Sequence, residues 1–389
     1  MTFTLEALQA KHGDSLLLHY GDPTSPRLIV IDGGPSRVYT PTLRPRLEAI
    51  RQTLPPDSAL PIRMLMVSHI DDDHINGVLD LTEELLEKHE NHEPLPYQIQ
   101  TLWHNSFDDV VGANSAELLS SGQAEVGAAS LEEVTASFGQ LSAEAAAIVA
   151  SVRQGRRLRD DATVLGLAVN QPGGGLITAR GDANDSVDLG DGLEFLILGP
   201  RQKQVEALQE KWDRELRRLG LDEVRAGNAG AAEMIDKSAY NLASLVVLAR
   251  ADGKTMLLTG DARGDHLLAS VRDADLLTNG KLHVNLLKMP HHGSDRNVDT
   301  DFFRTITADH YVISGDGKYG NPEVATFEMI FTARGNDRFT LHLTYPVTNL
   351  GHGFPKQDLQ RLLDREQQAG KPFEVRAPGP EEKSISVAL

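Results

Sequence analysis

The residue types best suited to chemistry are concentrated in one short run, Ser68-His69-Ile70-Asp71-Asp72-Asp73-His74-Ile75-Asn76-Gly77, which we call the His/Asp run. Two imidazoles and three carboxylates fall within six of its positions. So many carboxylates in one turn repel each other unless a cation neutralises them. Imidazole nitrogen and carboxylate oxygen suit zinc, manganese or iron(II), so we predict that the run binds a divalent metal ion.

The neighbouring elements are predicted to place the His/Asp run at the end of a buried strand. Met64-Leu65-Met66-Val67 is a short apolar run that is typical of such a strand. Val78, Leu81, Leu85 and Leu86 follow the run at helical spacing. Because α/β folds commonly place their chemistry at the carboxyl ends of strands, this arrangement favours a functional site.

Other predicted strands end in residues of the same types. Asp32, Asp261 and the pair His291-His292 each follow an apolar run. An aspartate after a strand is more often only a turn residue, so each signal is weak alone. Strands packed side by side can bring their ends to one rim, where these residues and the His/Asp run would form a shared metal site.

Composition limits the class of protein. The chain has 389 residues, a net charge of −18 and no cysteine, which excludes disulfides, thiolate zinc sites and cysteine nucleophiles. The negative charge disfavours a broad surface for duplex DNA, because phosphate binding relies on lysine and arginine. The N-terminus has no signal-peptide pattern, and no apolar run approaches the roughly 20 residues that span a bilayer. We therefore expect a cytoplasmic protein without a membrane partner.

The pattern of elements predicts an α/β protein in which two packed sheets carry helices on their outer faces. We expect one domain over residues 1–355, with a helical insertion at 108–190. Residues 356–389 are predicted to form a C-terminal helix and strand extension packed on the same domain. The inserted region is rich in Ala, Ser, Glu and Gly from 108 to 165, and is a candidate lid or surface for a protein partner. Oligomeric state is not predicted.

The His/Asp run resembles the HxDxDHxGG motif of the ComEC-type branch of the metallo-β-lactamase-fold hydrolases, a superfamily with the signature HxHxDH. The other motifs of that branch resemble, in the same order, Gly13-Asp14 with Ile31-Asp32-Gly33-Gly34, Asn241–Val246 with Leu257–Asp261, Leu287–Ser294, and loosely Ser314–Pro322. The match runs from about residue 3 to 350 and is interrupted at 108–190. It implies a four-layer αββα sandwich of two mixed sheets.

The resemblance also implies a site for two divalent ions, Zn²⁺ or Mn²⁺. Carried over by position, His69 and Asp71 would bind the first ion, Asp73 and His74 the second, and Asp261 would bridge them. Asp71 stands where most of the superfamily has histidine. The first site should therefore prefer harder metal ions. No clear counterpart exists for the third histidine ligand of the superfamily.

Several further residues have implied or alternative roles. His292 is the favoured remaining ligand of the second ion, and His291 would lie behind it, although the two can be exchanged. Asp32 would orient a ligand imidazole. Lys288 would either contact a phosphate or pair with a carboxylate.

Three candidate catalytic residues accompany Asp73, which could accept a proton from water while it binds a metal. Asn241 and Ser244 point at the site if the family motif holds, and otherwise form a satisfied polar pair at a strand edge. His104, at the end of a short predicted strand, is a candidate for the missing ligand or for a substrate contact, with a structural role as the alternative.

These observations predict a metal-dependent hydrolase, with a phosphodiesterase or nuclease using a metal-activated hydroxide as the first hypothesis. The net charge leaves single strands, short oligonucleotides and cyclic nucleotides as substrates. A second hypothesis is an ester, lactone or amide hydrolase, because one fold hosts many activities. A third is a metal-stabilised scaffold or a partner-dependent effector without turnover of its own.

Overall fold

The computed structural model describes residues 1–105, 143–181, 185–203, 205–206 and 244–389, with only the backbone described at 143–153. The strands are β1 (Thr2–Leu8), β2 (Leu16–Asp22), β3 (Ser25–Ile31), β4 (Leu60–Ile62), β5 (Met64–Met66), β6 (Tyr97–Ile99), β7 (Thr101–Trp103), β8 (Ala168–Val169), β9 (Ser186–Gly190), β10 (Leu193–Gly199), β11 (Val246–Ala251), β12 (Lys254–Leu258), β13 (Leu282–Lys288), β14 (Ile306–Ile313), β15 (Phe339–Leu343), β16 (Phe373–Arg376) and β17 (Ser384–Ala388). The α-helices are α1 (Arg44–Arg51), α2 (Asp72–Glu90), α3 (Ala143–Val164), α4 (Gly264–Asp273), α5 (Thr300–Thr305), α6 (Val324–Arg334) and α7 (Lys356–Gln368).

The strands form two large mixed sheets and one small parallel pair. The first sheet has the order β17-β1-β2-β3-β5-β7-β8, and the second has the order β16-β15-β14-β13-β12-β11-β10-β9. In the first sheet β3, β5 and β7 run parallel, and in the second β12, β13 and β14 do so. The carboxyl ends of neighbouring parallel strands therefore meet along one rim of each sheet.

Three buried apolar clusters show how the layers pack. One cluster lies between the sheets and contains Leu18 of the first sheet and Phe195 of the second. A second lies between the first sheet and α1–α3, and includes Leu17, the neighbour of Leu18, because successive strand residues face opposite sides. The third lies between the second sheet and α4–α7. The predicted four-layer αββα sandwich of two mixed sheets is thus confirmed.

The region predicted as a helical insertion contributes both a helix and strands where the structure describes it. Residues 106–142 lie outside the described residues. Helix α3 packs on α2, where the Thr82 hydroxyl donates to Asp161 at 2.5 Å and Gln154 donates to Asp72 at 2.7 Å. Strands β8 and β9 are edge strands of the two sheets. The described part of 108–190 is therefore not helical throughout.

The C-terminal segment belongs to both sheets. Strand β16 pairs in parallel with β15, and β17 pairs antiparallel with β1. Helix α7 packs its apolar residues, such as Leu359, into the cluster on the outer face of the second sheet. Within the part of the chain that the structure describes, no helix combines the length and the apolar character that crossing a membrane requires.

Candidate metal centre

The His/Asp run turns sharply from β5 into α2. Asp71 has an extended backbone, α2 begins at Asp72, and His74 is completely buried in the first helical turn. The helix can approach the end of β3 because two glycines touch: a Cβ on Gly33 would lie 2.4 Å from the carbonyl carbon of Gly77. The same contact brings the start of α2 beside Asp32, which directly follows β3.

The second sheet supplies a turn with unusual backbone geometry. His291 and His292 follow β13 with φ of 47° and 54°, and Gly293 continues the left-handed turn at φ 83°. Residues other than glycine rarely adopt such angles, and strained positions of this kind cluster at functional sites. The turn directs both imidazoles toward Asp261, which follows β12.

Asp261 lies at the centre of the site, and its two carboxylate oxygens face different imidazoles. Oδ1 lies 3.4 Å from Nε2 of His74 and 3.7 Å from Nε2 of His292. Oδ2 lies 3.7 Å from Nε2 of His69 and 3.5 Å from Nε2 of His291. Asp261 thus lies among four imidazoles, and the bridging role implied by the family resemblance stays a prediction.

Aspartates of the His/Asp run divide between the two sides of Asp261. Asp73 Oδ2 lies 3.4 Å from Nε2 of His292, on the Oδ1 side. Asp71 Oδ2 lies 3.5 Å from Nε2 of His69, on the Oδ2 side. The imidazoles of His69, His74 and His292 are buried, whereas the side chains of Asp71, Asp73 and His291 are 31%, 26% and 32% exposed. Each side of Asp261 therefore combines at least one buried imidazole with at least one partly exposed side chain.

The donor atoms fit a divalent cation. Two groups of residues have potential ligand atoms within 4.8 Å of one another: Asp14, His74, Asp261 and His292 form one, and His69, Asp73 and His74 form the other. The Nε2 atoms of His69, His74 and His292 are buried without a hydrogen-bond partner among the described residues. Buried polar atoms are almost always partnered, so converging unpartnered nitrogens and carboxylates are the donor set that a metal ion satisfies.

Hydrogen bonds behind the imidazoles fix their orientation. Nδ1 of His74 lies 2.8 Å from Asp32 Oδ2, and the Ser68 amide and hydroxyl both donate to the Asp32 carboxylate at 2.7 Å. Nδ1 of His292 lies 2.9 Å from the Ser314 hydroxyl. With Nδ1 engaged in this way, Nε2 is the atom presented to the centre.

Asp14 is a buried member of the site that the sequence analysis did not include among the site residues. Its Oδ1 lies 3.4 Å from Nδ1 of His292, and its Oδ2 pairs with Lys288 Nζ at 2.7 Å. Both partners of the ion pair are 1% exposed. The signal was present in the Gly13-Asp14 motif. Burial of Lys288 against Asp14 means that it pairs with a carboxylate and does not reach a substrate phosphate.

The electrostatics of the site favour positive charge at its imidazoles. Burial alone would lower the pKa of His292, but Asp261 and Asp14 outweigh it and raise the pKa to about 9. Burial is likewise outweighed at His74, whose pKa is raised well above its usual value by Asp261 and Asp32. Burial would raise the pKa of Asp261, yet His292 and His74 hold it well below its usual range. A divalent cation would supply this positive charge in place of protons.

Three candidate catalytic residues lie outside the two groups of potential ligands. Asn241 lies outside the described residues. Ser244 is buried, and its Oγ has no hydrogen-bond partner among the described residues; a Cβ on Gly260 would lie 3.4 Å from the Ser244 Cβ and 3.0 Å from that of Ser68. His104 is buried at the end of β7, where its backbone amide donates to the Asn170 side chain at 2.9 Å.

Comparisons with known proteins give distant structural similarity only. No family model matches the chain, and no curated protein sequence matches it. Zn²⁺-bound PqqB from Methylobacterium extorquens is 12% identical over 99% of this chain and 100% of its own, with a TM-score of 0.39. A mutant of the CmlA β-hydroxylase is 11% identical over 100% of this chain and 54% of its own, with a TM-score of 0.37. A candidate metal-dependent hydrolase from Parabacteroides distasonis is 8% identical over 96% and 92%, with a TM-score of 0.33. These values assign neither a family nor an activity.

Proposed function

We propose that this protein is a metal-dependent hydrolase that cleaves phosphodiesters. The observation that carries the proposal is the convergence of buried imidazole Nε2 atoms on Asp261, without hydrogen-bond partners among the described residues. Burying charged and polar atoms without partners costs free energy, which a bound cation would offset here. Catalysis by a bound divalent ion would account for this arrangement.

The two sides of Asp261 define which residues would hold metal. Asp73, His74 and His292 would bind an ion beside Oδ1. His69, Asp71 and His291 would serve the Oδ2 side, and in this assignment His291 would act as the third histidine, for which the family resemblance gave no clear counterpart. Bound divalent ions supply Lewis acidity for an anionic or carbonyl substrate and a nucleophile at neutral pH.

The chain's own side chains would orient the reaction. Burial would raise the pKa of Asp73, but His74 and His292 outweigh it and lower the pKa below its usual range, so Asp73 is ionised at neutral pH. An ionised carboxylate can accept a hydrogen bond from a water molecule and hold it in one direction. Asp32 would keep the His74 imidazole oriented, and Ser314 would do the same for the His292 imidazole.

Phosphodiesters suit this site better than neutral substrates do, because carboxylates make up about half of its candidate ligands. Oxygen-rich ligand sets favour harder ions, which pair well with phosphate oxygens. An ester, lactone or amide hydrolase remains the alternative in which the same ions polarise a carbonyl. A metal-stabilised scaffold or partner-dependent effector would bind metal and show no turnover.

The test combines metal content by mass spectrometry with hydrolysis of bis-p-nitrophenyl phosphate in added Mn²⁺ or Zn²⁺. We expect about two ions per wild-type chain and measurable turnover. Asp73→Asn should lower turnover by about 100-fold or more. The matched control is Asp72→Asn, in the same turn, because the Asp72 carboxylate accepts a hydrogen bond from Gln154 of α3 and is not among the candidate metal ligands of the described residues.

The outcomes separate the candidate functions. Turnover that is lost in Asp73→Asn and kept in Asp72→Asn supports the proposal. Metal without turnover of the phosphodiester, but with hydrolysis of p-nitrophenyl acetate, favours the ester hydrolase. Metal without turnover of either substrate favours the scaffold. A chain that binds no metal under any condition would contradict the phosphodiesterase, the ester hydrolase and the metal-stabilised scaffold alike.

A further inference from the structure

Two loops at the rim of the centre rest directly on its candidate ligands. The loop between β1 and β2 touches Asp73 so closely that a Cβ on Gly13 would lie 1.8 Å from the Asp73 carbonyl oxygen. The loop after β14 begins at Ser314, whose hydroxyl bonds His292. Both loops therefore contact candidate ligand residues of the centre.

One side chain of the second loop is unusually placed for an aromatic residue. Tyr319 is 68% exposed, and large apolar side chains with such exposure are rare among the described residues. Its ring meets the ring of His12 edge to face, with centroids 4.8 Å apart. Lys318 Nζ lies 4.7 Å from the centroid of the tyrosine ring. Tyr319 is thus held from one edge by His12 and remains largely open to solvent.

Basic side chains lie near this aromatic residue, together with one carboxylate. Burial lowers the pKa of Lys11, the positive charges of Arg37 and Lys318 lower it further, and the negative charge of Asp316 opposes them. Lys11 Nζ donates to the Ser36 carbonyl at 2.8 Å, so the lysine is held in place. These cations outnumber the carboxylate in a chain of net charge −18, and a bound anion would relieve the repulsion that Lys11 experiences.

We call Lys11, His12, Arg37, Lys318 and Tyr319 the basic rim. We propose that the basic rim is a nucleoside-binding subsite, in which a substrate base stacks on Tyr319 while the neighbouring phosphate lies against the cations. The inference rests on the proposed phosphodiesterase function and names its substrate class as nucleoside phosphodiesters whose base is free to stack.

The physical basis is the combination of one open aromatic ring with nearby cations. Base stacking on an aromatic side chain tolerates any base, because every base has a π-face, and cations neutralise the backbone phosphate. A duplex keeps its bases stacked inside the helix, so they would not be free to stack on Tyr319. A phosphodiester without a base would use the cations alone.

Binding is measured by fluorescence anisotropy with a labelled phosphorothioate hexathymidylate, which stays intact, in the presence and absence of Mn²⁺. An abasic hexamer of the same backbone is the comparison. Tyr319→Ala should weaken binding of the thymidylate about tenfold, and Tyr319→Phe, which keeps the ring, should bind like wild type. The abasic strand should bind more weakly and should not respond to Tyr319→Ala.

The contribution of charge is tested by the salt dependence of the same binding. Lys318→Ala should reduce the slope of log K against log salt by about 0.7, the value for one phosphate contact on a single strand. Lys254→Ala is the matched control, because Lys254 is exposed at the far end of β12 from Asp261 and should leave the slope unchanged.

The failures of the two proposals differ. Wild-type protein that cleaves bis-p-nitrophenyl phosphate but binds both hexamers equally overturns the subsite and leaves the hydrolase standing. Binding that depends on Tyr319, with no hydrolysis of any phosphodiester, supports the subsite and overturns the hydrolase. Equal weakening of both hexamers by Tyr319→Ala contradicts stacking, because only one of them carries bases.

Discussion

Two buried carboxylates in this protein differ in the hydrogen-bond donors around them. Glu6 of β1 accepts hydrogen bonds from Nε and Nη2 of Arg46 at 2.7 and 3.0 Å and from the Ser384 hydroxyl at 2.6 Å, and lies 3.1 Å from His19. Asp261 is surrounded by imidazoles at 3.4 to 3.7 Å, and its Oδ1 has no hydrogen-bond partner among the described residues. The chain's own donors satisfy the Glu6 carboxylate, whereas the described residues leave Oδ1 of Asp261 without a donor.

The difference separates a structural cluster from a ligand site. Glu6 joins β1 to α1 and to β17 with partners that the chain supplies, so the cluster needs nothing from solution. The Asp261 cluster is held by an outer layer, in which Asp32 and Ser314 bond the far sides of the imidazoles, and its inner atoms have only one another. An incomplete cluster of this kind is stable when a cation occupies it.

The largest expected effect is the loss of metal in Asp261→Asn. An amide cannot bridge two cations as a carboxylate does, so we expect turnover to fall by about a thousandfold or more, beyond the 10–100-fold typical of residues that only orient ligands. Mass spectrometry should find at most one ion per chain. Glu6→Gln is the matched control and should keep its metal. Full metal content and turnover in Asp261→Asn would show that the carboxylate is not a ligand.

Metal should also stabilise the folded protein through the Asp261 cluster alone. A ligand present at 100 times its Kd adds about 2.7 kcal/mol to the free energy of unfolding. We expect chelation with EDTA to lower the melting temperature of wild type and of Glu6→Gln by similar amounts. Asp261→Asn should show little response to EDTA. A shift of equal size in all three proteins would place the stabilising ion elsewhere in the chain.

Asp32→Asn tests the outer layer of the cluster. Asparagine retains the shape of Asp32 but weakens the bond to Nδ1 of His74, so the ring is less well oriented and less basic. We expect metal affinity or turnover to fall by about 10–100-fold, and a higher concentration of Mn²⁺ should restore part of the activity. Activity that is lost and does not respond to metal would argue instead for damage to the fold, which circular dichroism would detect.

The sequence predicted those parts of the site that are local in the chain. The His/Asp run begins just after a buried strand, and periodicity indicated that strand and a following helix, although α2 begins inside the run at Asp72 and not at Val78. The sandwich followed from the order of apolar runs together with the family resemblance. Asp73 and His74 share one helical turn, so their proximity needs no knowledge of the tertiary structure.

Residues brought together by tertiary packing were harder to predict. Asp14 enters the site because the β1–β2 loop packs on Asp73, a contact between segments about 60 residues apart whose geometry only the folded chain reveals. The left-handed backbone of His291 and His292 has no signal in the sequence, because residues other than glycine rarely adopt it. This turn brings both imidazoles close to Asp261. From the sequence, the two histidines were alternatives for one ligand position.

A smaller effect is expected at the completed cluster. Glu6→Gln removes the charge that pairs with Arg46, and because the Arg46 side chain is 39% exposed, the cost should lie between the ~1 kcal/mol of a surface pair and the ~3 kcal/mol of a fully buried one. We expect this loss in the free energy of unfolding measured by urea denaturation in EDTA, without a change in metal content. The control is Asp301→Asn, which removes an exposed pair with Arg304 and should cost less than about 1 kcal/mol. Similar costs for both variants would mean that Glu6 is less important than its burial suggests.

The pH dependence of stability provides the last test of the Glu6 cluster. Burial would raise the pKa of Glu6, but hydrogen bonds from His19, Arg46 and Ser384 outweigh it and lower the pKa to about 2. The unfolded chain therefore takes up a proton at Glu6 first as the pH falls. The stabilisation from Glu6 is complete above the ordinary glutamate pKa of about 4.5 and is lost as the pH falls through about 2.

Wild type and Glu6→Gln should therefore become more alike in acid. Their difference in the free energy of unfolding at neutral pH should shrink between pH 4.5 and pH 2. The measurement is made in EDTA, because protonation of the imidazoles around Asp261 would otherwise release metal over a nearby range of pH. A difference that stays constant down to pH 2 would mean that the charge of Glu6 contributes nothing, and that the variant is destabilised by altered packing alone.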